Sequence, residues 1–130
     1  MEAHLKFNKF DKPANNSAAR KGMPLFSGFF MYFPDACLAV AEHSRKANDK
    51  HNPGEPLHWS KEKSKDHPDC IARHLVDIGP NWDAIDPEFG SYHATALAWR
   101  ALALLQTVIE RKRDKAQGLQ GMWVPVMEKK

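Results

Sequence analysis

The chain has no apolar run approaching the ~20 residues that a membrane-crossing helix requires, so no transmembrane span is expected. Cysteine is scarce: Cys37 and Cys70 are the only two, and they show no CxxC spacing. That speaks against a disulfide framework or a Cys-based zinc motif, and for free thiols in a reducing compartment. Met1–Lys12 interleaves charges with Phe and lacks the apolar stretch of a secretory leader. A cytoplasmic location is therefore expected. There is no P-loop, no GxGxxG, no HExxH and no Gly-x-Ser-x-Gly, which argues against the common mononucleotide, dinucleotide, metalloprotease and serine-hydrolase signatures. Charge of one sign is also lacking. With 19 basic and 16 acidic residues the net charge is only +3, too little to imply a nucleic-acid polymer but compatible with a small anion. No internal repeat or low-complexity block is present.

What remains is ordinary for a globular chain. At 130 residues a single domain is expected, and 42% hydrophobic with 27% charged residues sets it apart from disordered proteins. Residues 1–22 read as a polar arm, 23–115 as a helical domain and 116–130 as a tail, in which Met122–Val126 would add a short strand or dock. The apolar run from Met23 to Phe33 should cover the core or a partner subunit.

Three helices are predicted. The first starts at Pro34, where the missing N–H costs nothing and Asp35 meets the positive end of the dipole, and fades near Asn48. Its inner face is expected to be Cys37, Leu38, Ala41 and Ser44, with His43, like His4, at the surface. A loop of about 17 residues follows, since Pro53, Gly54 and Pro56 forbid regular helix. The second helix runs from about His67 to Ile78, capped by Ser64 or Asp66 and ended by Gly79-Pro80, with Ile71, Leu75 and Ile78 as its buried stripe. Residues 81–90 read as another loop. The third helix runs from a Ser91 cap to about Asp114, with a broad face of Ala94, Leu97, Ala98, Ala101, Leu102, Leu105, Val108 and Ile109. The fold class is thus all-α, a small bundle of three main helices with long loops. Three helices make a thin core, so a homo-oligomer is expected to complete it.

Chemistry concentrates between positions 51 and 93, where five of the seven histidines lie: His51, His58, His67, His74 and His93. Asp66, Asp69 and Arg73 share one face of the second helix, and His67 and His74 are two turns apart on it. Carboxylate, imidazole and guanidinium in a row can hold a divalent cation and the phosphates it neutralises. His93 would join them if the second and third helices pack antiparallel. Each residue also has a plainer reading. Asp66 and Asp69 are what any first helical turn favours, and Arg73 with Asp77 makes an i, i+4 pair. Lys50, Lys61, Lys63 and Lys65 are either a solvated face or a positive rim for a triphosphate. Trp59 either stacks a purine base or anchors its loop.

The segments His51-Asn-Pro-Gly-Glu-Pro-Leu-His58-Trp59, Asp66-His67-x-Asp69, Arg73-His74-Leu75, Gly90-x-x-His93 and Ala98-Trp-Arg-Ala-Leu-Ala-Leu-Leu105 resemble small phage proteins of a dATP/dGTP diphosphohydrolase-like family. That group is related to the MazG-type all-α nucleotide pyrophosphohydrolases, and the resemblance covers residues 23–110. It implies a helical fold, oligomerisation, a nucleotide ligand and Mg²⁺ or Mn²⁺ as cofactor, with a water attacking between the α and β phosphates. On that basis Asp69 and His67 are the candidate catalytic residues. Asp66, Asp69, His74 and His93 are the candidate metal ligands. Arg73, His51, His58, Trp59 and Lys63 are the candidate substrate contacts. The sequence departs from the MazG pattern, because Glu42 is followed by Arg45 where a second carboxylate would stand. Asp83-x-x-Asp86 copies the carboxylate spacing but lies in a Pro-flanked loop and is read as coincidental. The expected metal site is accordingly a mixed His/Asp one. Three functions stay open: a metal-dependent nucleotide hydrolase, a nucleotide-sequestering protein without catalysis, and a structural helical protein.

Overall fold

The computed structural model describes residues 17–117, with side chains through 114. The arm before Ser17, including His4, and the tail expected to dock through Met122–Val126 lie outside these residues. Two compact units are present, Phe33–Leu105 and the residues flanking it on both sides.

In the flanking unit, α1 (Ser17–Lys21) is a short helix and Phe26–Phe30 forms one π-helical turn. The arm expected up to residue 22 is therefore helical at its end. Phe26, Phe30, Met31 and Tyr32 are exposed in the single chain. The last turns of α4 (His93–Gln117) belong here, and Arg113, nearly buried, lies 3.9 Å from Glu110.

The unit Phe33–Leu105 holds α2 (Pro34–His51), α3 (His67–Ile78), a two-residue antiparallel ribbon of β1 (Ile85–Asp86) and β2 (Ser91–Tyr92), and the first half of α4. The protein is mostly helical, as expected. The ribbon replaces the second expected loop. Pro87-Glu88-Phe89-Gly90 turn the chain because Gly90 takes φ +70°, which a side chain would resist. Pairing Ile85 with Tyr92 then displaces the helix start from Ser91 to His93, whose N–H donates to the Ala84 carbonyl at 2.9 Å.

The helices bury different faces from those that apolar periodicity predicts. Leu38 and Ala41 are exposed on α2, while Val40, His43, Ser44, Ala47 and Asn48 turn inward at helical spacing. His43 is therefore not a surface residue; it is 7% exposed. On α3, Leu75 is 60% exposed, and His67, Cys70, Ile71 and His74 form the inner stripe. On α4, Ala94, Ala101, Leu102 and Leu105 are exposed, and His93, Thr95, Ala96 and Ala103 are buried. Among the described residues the buried apolar side chains are the small ones of Cys70, Ala96 and Ala103. The contacts between α3 and α4 are made by polar side chains, imidazole on imidazole and guanidinium on imidazole. Both cysteines are free thiols.

Hydrogen bonds rather than bulk tie the loop after α2 to the body. Asn48 is buried; its Nδ2 donates to the Glu55 carbonyl at 3.1 Å, and its Oδ1 accepts from Asn52 Nδ2 at 3.1 Å and from the His58 N–H at 3.4 Å. Further along, Trp59 packs edge-on against Trp99, with ring centres 5.5 Å apart, and Trp99 Nε1 donates to Ser44 Oγ at 2.7 Å. Asn48→Ala removes three bonds worth about 1 kcal/mol each. We expect it to lower the unfolding free energy by about 2–3 kcal/mol in urea titrations. Limited proteolysis between residues 53 and 65 should speed up at the same time.

Candidate functional site

Helices α3 and α4 run antiparallel, and two polar contacts two turns apart set their register. His74 Nδ1 lies 3.0 Å from His93 Nδ1, and Arg100 Nη1 donates to His67 Nδ1 at 3.1 Å. A step of seven residues along one helix thus matches a step of seven along the other. The antiparallel approach expected for His93 is present.

Asp86 completes this centre. It is 5% exposed and offers an oxygen to the same small space, so that one ligand atom each from His74, Asp86 and His93 lie within 4.8 Å of one another. The Glu88 N–H donates to Asp86 Oδ1 at 2.9 Å and holds the carboxylate in the turn. Three elements therefore meet here: α3 brings His74, β1 brings Asp86, and the first residue of α4 is His93.

His43 faces the centre from α2. Its ring packs against Phe89 at 4.9 Å and Trp99 at 6.2 Å, and its buried Nδ1 has no hydrogen-bond partner. Burial pushes the His43 imidazole below its ordinary range, the Asp86 carboxylate opposing and His74 and Arg100 reinforcing the shift. His74 is lowered too, first by burial and then by His93, against the pull of Asp86. Lys46 Nζ donates to the Phe89 carbonyl at 3.2 Å, and Lys50 lies 3.2 Å from Glu88, so α2 also grips the ribbon turn.

The other sequence-derived candidates spread out. Asp66 sits at the N-cap of α3 without making a cap bond. Its carboxylate meets Arg100 at 3.6 Å and accepts from the Cys70 thiol at 3.5 Å. Asp69 is exposed on the first turn of α3. Arg73 is exposed and donates to Cys70 Sγ at 3.4 Å. His67 is buried against Arg100. His51 ends α2 and is exposed; His58 is exposed, with Nδ1 3.0 Å from the Pro56 carbonyl. Lys63 is exposed, and Trp59 is half-buried under the Lys61 ammonium, 5.0 Å from its ring. Of the four expected metal ligands, the structure brings together His74 and His93 and leaves Asp66 and Asp69 elsewhere.

Sequence reasoning missed Asp86 and His43. Ile85 and Tyr92, flanking a Pro-Glu-Phe-Gly turn, are the signal of a tight ribbon that carries Asp86 back to the start of α4. For His43 the signal is its place in the 40, 43, 44, 47 spacing.

Among the described residues no single helix is long and apolar enough to cross a membrane. Fold and site together define a small, mostly helical protein with a part-buried imidazole–carboxylate centre. The model of the family described as dATP/dGTP diphosphohydrolase, N-terminal, matches residues 13–117, and the chain belongs to that family. No curated protein and no solved structure matches it.

The two lowered histidines make stability depend on pH. In the unfolded chain both imidazoles take up protons near the ordinary value of about 6.5. In the folded chain burial withholds those protons until lower pH. The unfolded state thus binds more protons as pH falls below 6.5, and stability is lost in that direction. Thermal unfolding midpoints should hold level above pH 7.5 and drop steadily from 6.5 to 5. His43→Gln should flatten that slope.

Proposed function

We propose that this domain acts on purine deoxynucleoside triphosphates, hydrolysing dATP or dGTP to the monophosphate and pyrophosphate with a divalent ion such as Mn²⁺. The observation that carries the reading is the convergence of half-buried His74 with buried Asp86 and His93 in a chain of this family. In the reaction a water oxygen bonds to the α-phosphorus, the bond to the α–β bridging oxygen breaks, and pyrophosphate leaves with that oxygen. A bound ion would polarise the phosphoryl oxygens and acidify the water. His74, Asp86 and His93 would hold it. Arg73, Lys63, His51 and His58 are exposed cationic or titratable groups suited to the phosphates, and Trp59 offers a ring edge to a base. The acid–base work expected of His67 and Asp69 fits them less well: His67 is engaged by Arg100, and Asp69 stands on the outer face. Exposed Leu38, Val76 and Trp82 suit a homo-oligomer as the working form.

The family is described by an N-terminal part, which favours a second reading in which the domain holds nucleotide without turning it over. One assay separates the two. Purified chain at high concentration is incubated with each dNTP and Mg²⁺ or Mn²⁺, and pyrophosphate is measured beside the nucleotide-induced shift in melting temperature. We expect release from dATP and dGTP, cut at least about a hundredfold by Asp86→Asn. Melting shifts with no pyrophosphate would leave binding alone; neither signal with any nucleotide would remove both readings.

A further inference from the structure

We propose that His74, Asp86 and His93 form a site for a borderline transition-metal ion, of the Mn²⁺, Co²⁺ or Zn²⁺ class, and bind it in preference to Mg²⁺. This deepens the hydrolase reading by naming the ion class of the same centre, and metal binding can be measured without any nucleotide.

The donor set comes first. Two imidazole nitrogens and one carboxylate oxygen make a nitrogen-rich site. Mg²⁺ favours oxygen ligands in a strict octahedron and gives up water reluctantly. First-row transition ions accept imidazole readily, with affinity rising from Mn²⁺ toward Cu²⁺.

The donors already converge. His74 Nδ1 and His93 Nδ1 are in contact at 3.0 Å. Two ligands of a tetrahedral ion with bonds of about 2.1 Å stand roughly 3.4 Å apart, so a small separation of the rings admits one. The Asp86 oxygen falls within the 4.8 Å set. Only a small carboxylate movement is needed for it to occupy a third position. The Glu88 N–H on Oδ1 orients the group, as partners of ligating carboxylates do.

Burial gives an independent sign of a missing ligand. His43 is 7% exposed, lies where it feels both Asp86 and His74, and keeps a buried Nδ1 with no partner. A buried orphan nitrogen costs about 1–3 kcal/mol. Three protein ligands leave coordination positions open for water or a phosphate oxygen.

The test uses the full chain, stripped with chelator and titrated with Co²⁺ in the absence of nucleotide. We expect one Co²⁺ per chain with visible ligand-field absorption and a raised melting temperature. Zn²⁺ should displace it near equimolar concentration, and Mg²⁺ should fail even at a thousandfold excess. His93→Ala and Asp86→Asn should each weaken binding by at least about a hundredfold, while His58→Ala leaves it unchanged. Should either site variant fail to fold, pulsed EPR of the Mn²⁺-loaded wild type decides, because it should show nitrogen coupling from two imidazoles. Absence of Co²⁺ binding below millimolar concentration, Mg²⁺ displacing Co²⁺ at equal concentration, or bound Mn²⁺ without nitrogen coupling would each overturn the proposal. Nucleotide hydrolysis sustained by Mg²⁺ with no Co²⁺ bound would remove this site and leave the hydrolase reading. Co²⁺ held at the three residues with no turnover of any nucleotide would do the reverse.

Discussion

The contact between His74 and His93, two ring nitrogens 3.0 Å apart, joins the middle of one helix to the first residue of the next. The Arg100–His67 bond repeats the cross-helix contact two turns away, and Cys70 and Ala96 are buried on the same two helices. The ribbon turn then delivers Asp86 against the same rings. Without Gly90 at positive φ the chain would not reverse tightly enough to return from Asp86 to His93 in so few residues.

A core of this kind has a cost that an apolar one lacks. Burying an imidazole or a carboxylate gives up hydration, and only hydrogen bonds or opposite charge repay it. Asp86 recovers part through the Glu88 amide, and His67 through Arg100. His43 recovers nothing at Nδ1. The apolar side chains that would otherwise stabilise the unit stand outside instead, Val76 at 76% and Trp82 at 85% exposure. The inside of this fold is thus specified by polarity and position more than by hydrophobic volume.

That inversion explains what could be read from the sequence. Helix positions followed from proline, glycine and acidic first turns, which act locally, and α3 is found where those signals put it, from His67 to Ile78. The faces did not follow, because periodicity arguments assume that apolar residues point inward. Leu38, Leu75 and Leu102, which periodicity assigns to the core, stand exposed, while His43 and His67 are buried and His74 is half-buried. The histidine pair was legible because seven-residue spacing on one helix and a histidine opening the next suggested an antiparallel match. Asp86 was not, since its place depends on a two-residue ribbon that no window of hydrophobic alternation is long enough to reveal. Asp66 and Asp69 drew attention by their helical spacing, yet they sit at the end and outer side of α3, where capping and helix-dipole effects already account for acidic residues.

The same inversion bears on how the centre and the fold depend on each other. An interior held by dispersion is indifferent to ions, because nothing in it can ligate them. An interior in which two imidazoles meet across helices, 3.0 Å apart, offers nitrogen ligands to a cation that favours them. His74, Asp86 and His93 would hold such a cation, and it would offset the Asp86 charge and tie α3, the ribbon and α4 together. Any free energy of that binding available only to the folded chain adds to folding stability. The polar arrangement that makes this interior costly is therefore the one through which a bound ligand would stabilise it, since Asp86 and His93 belong to both site and core.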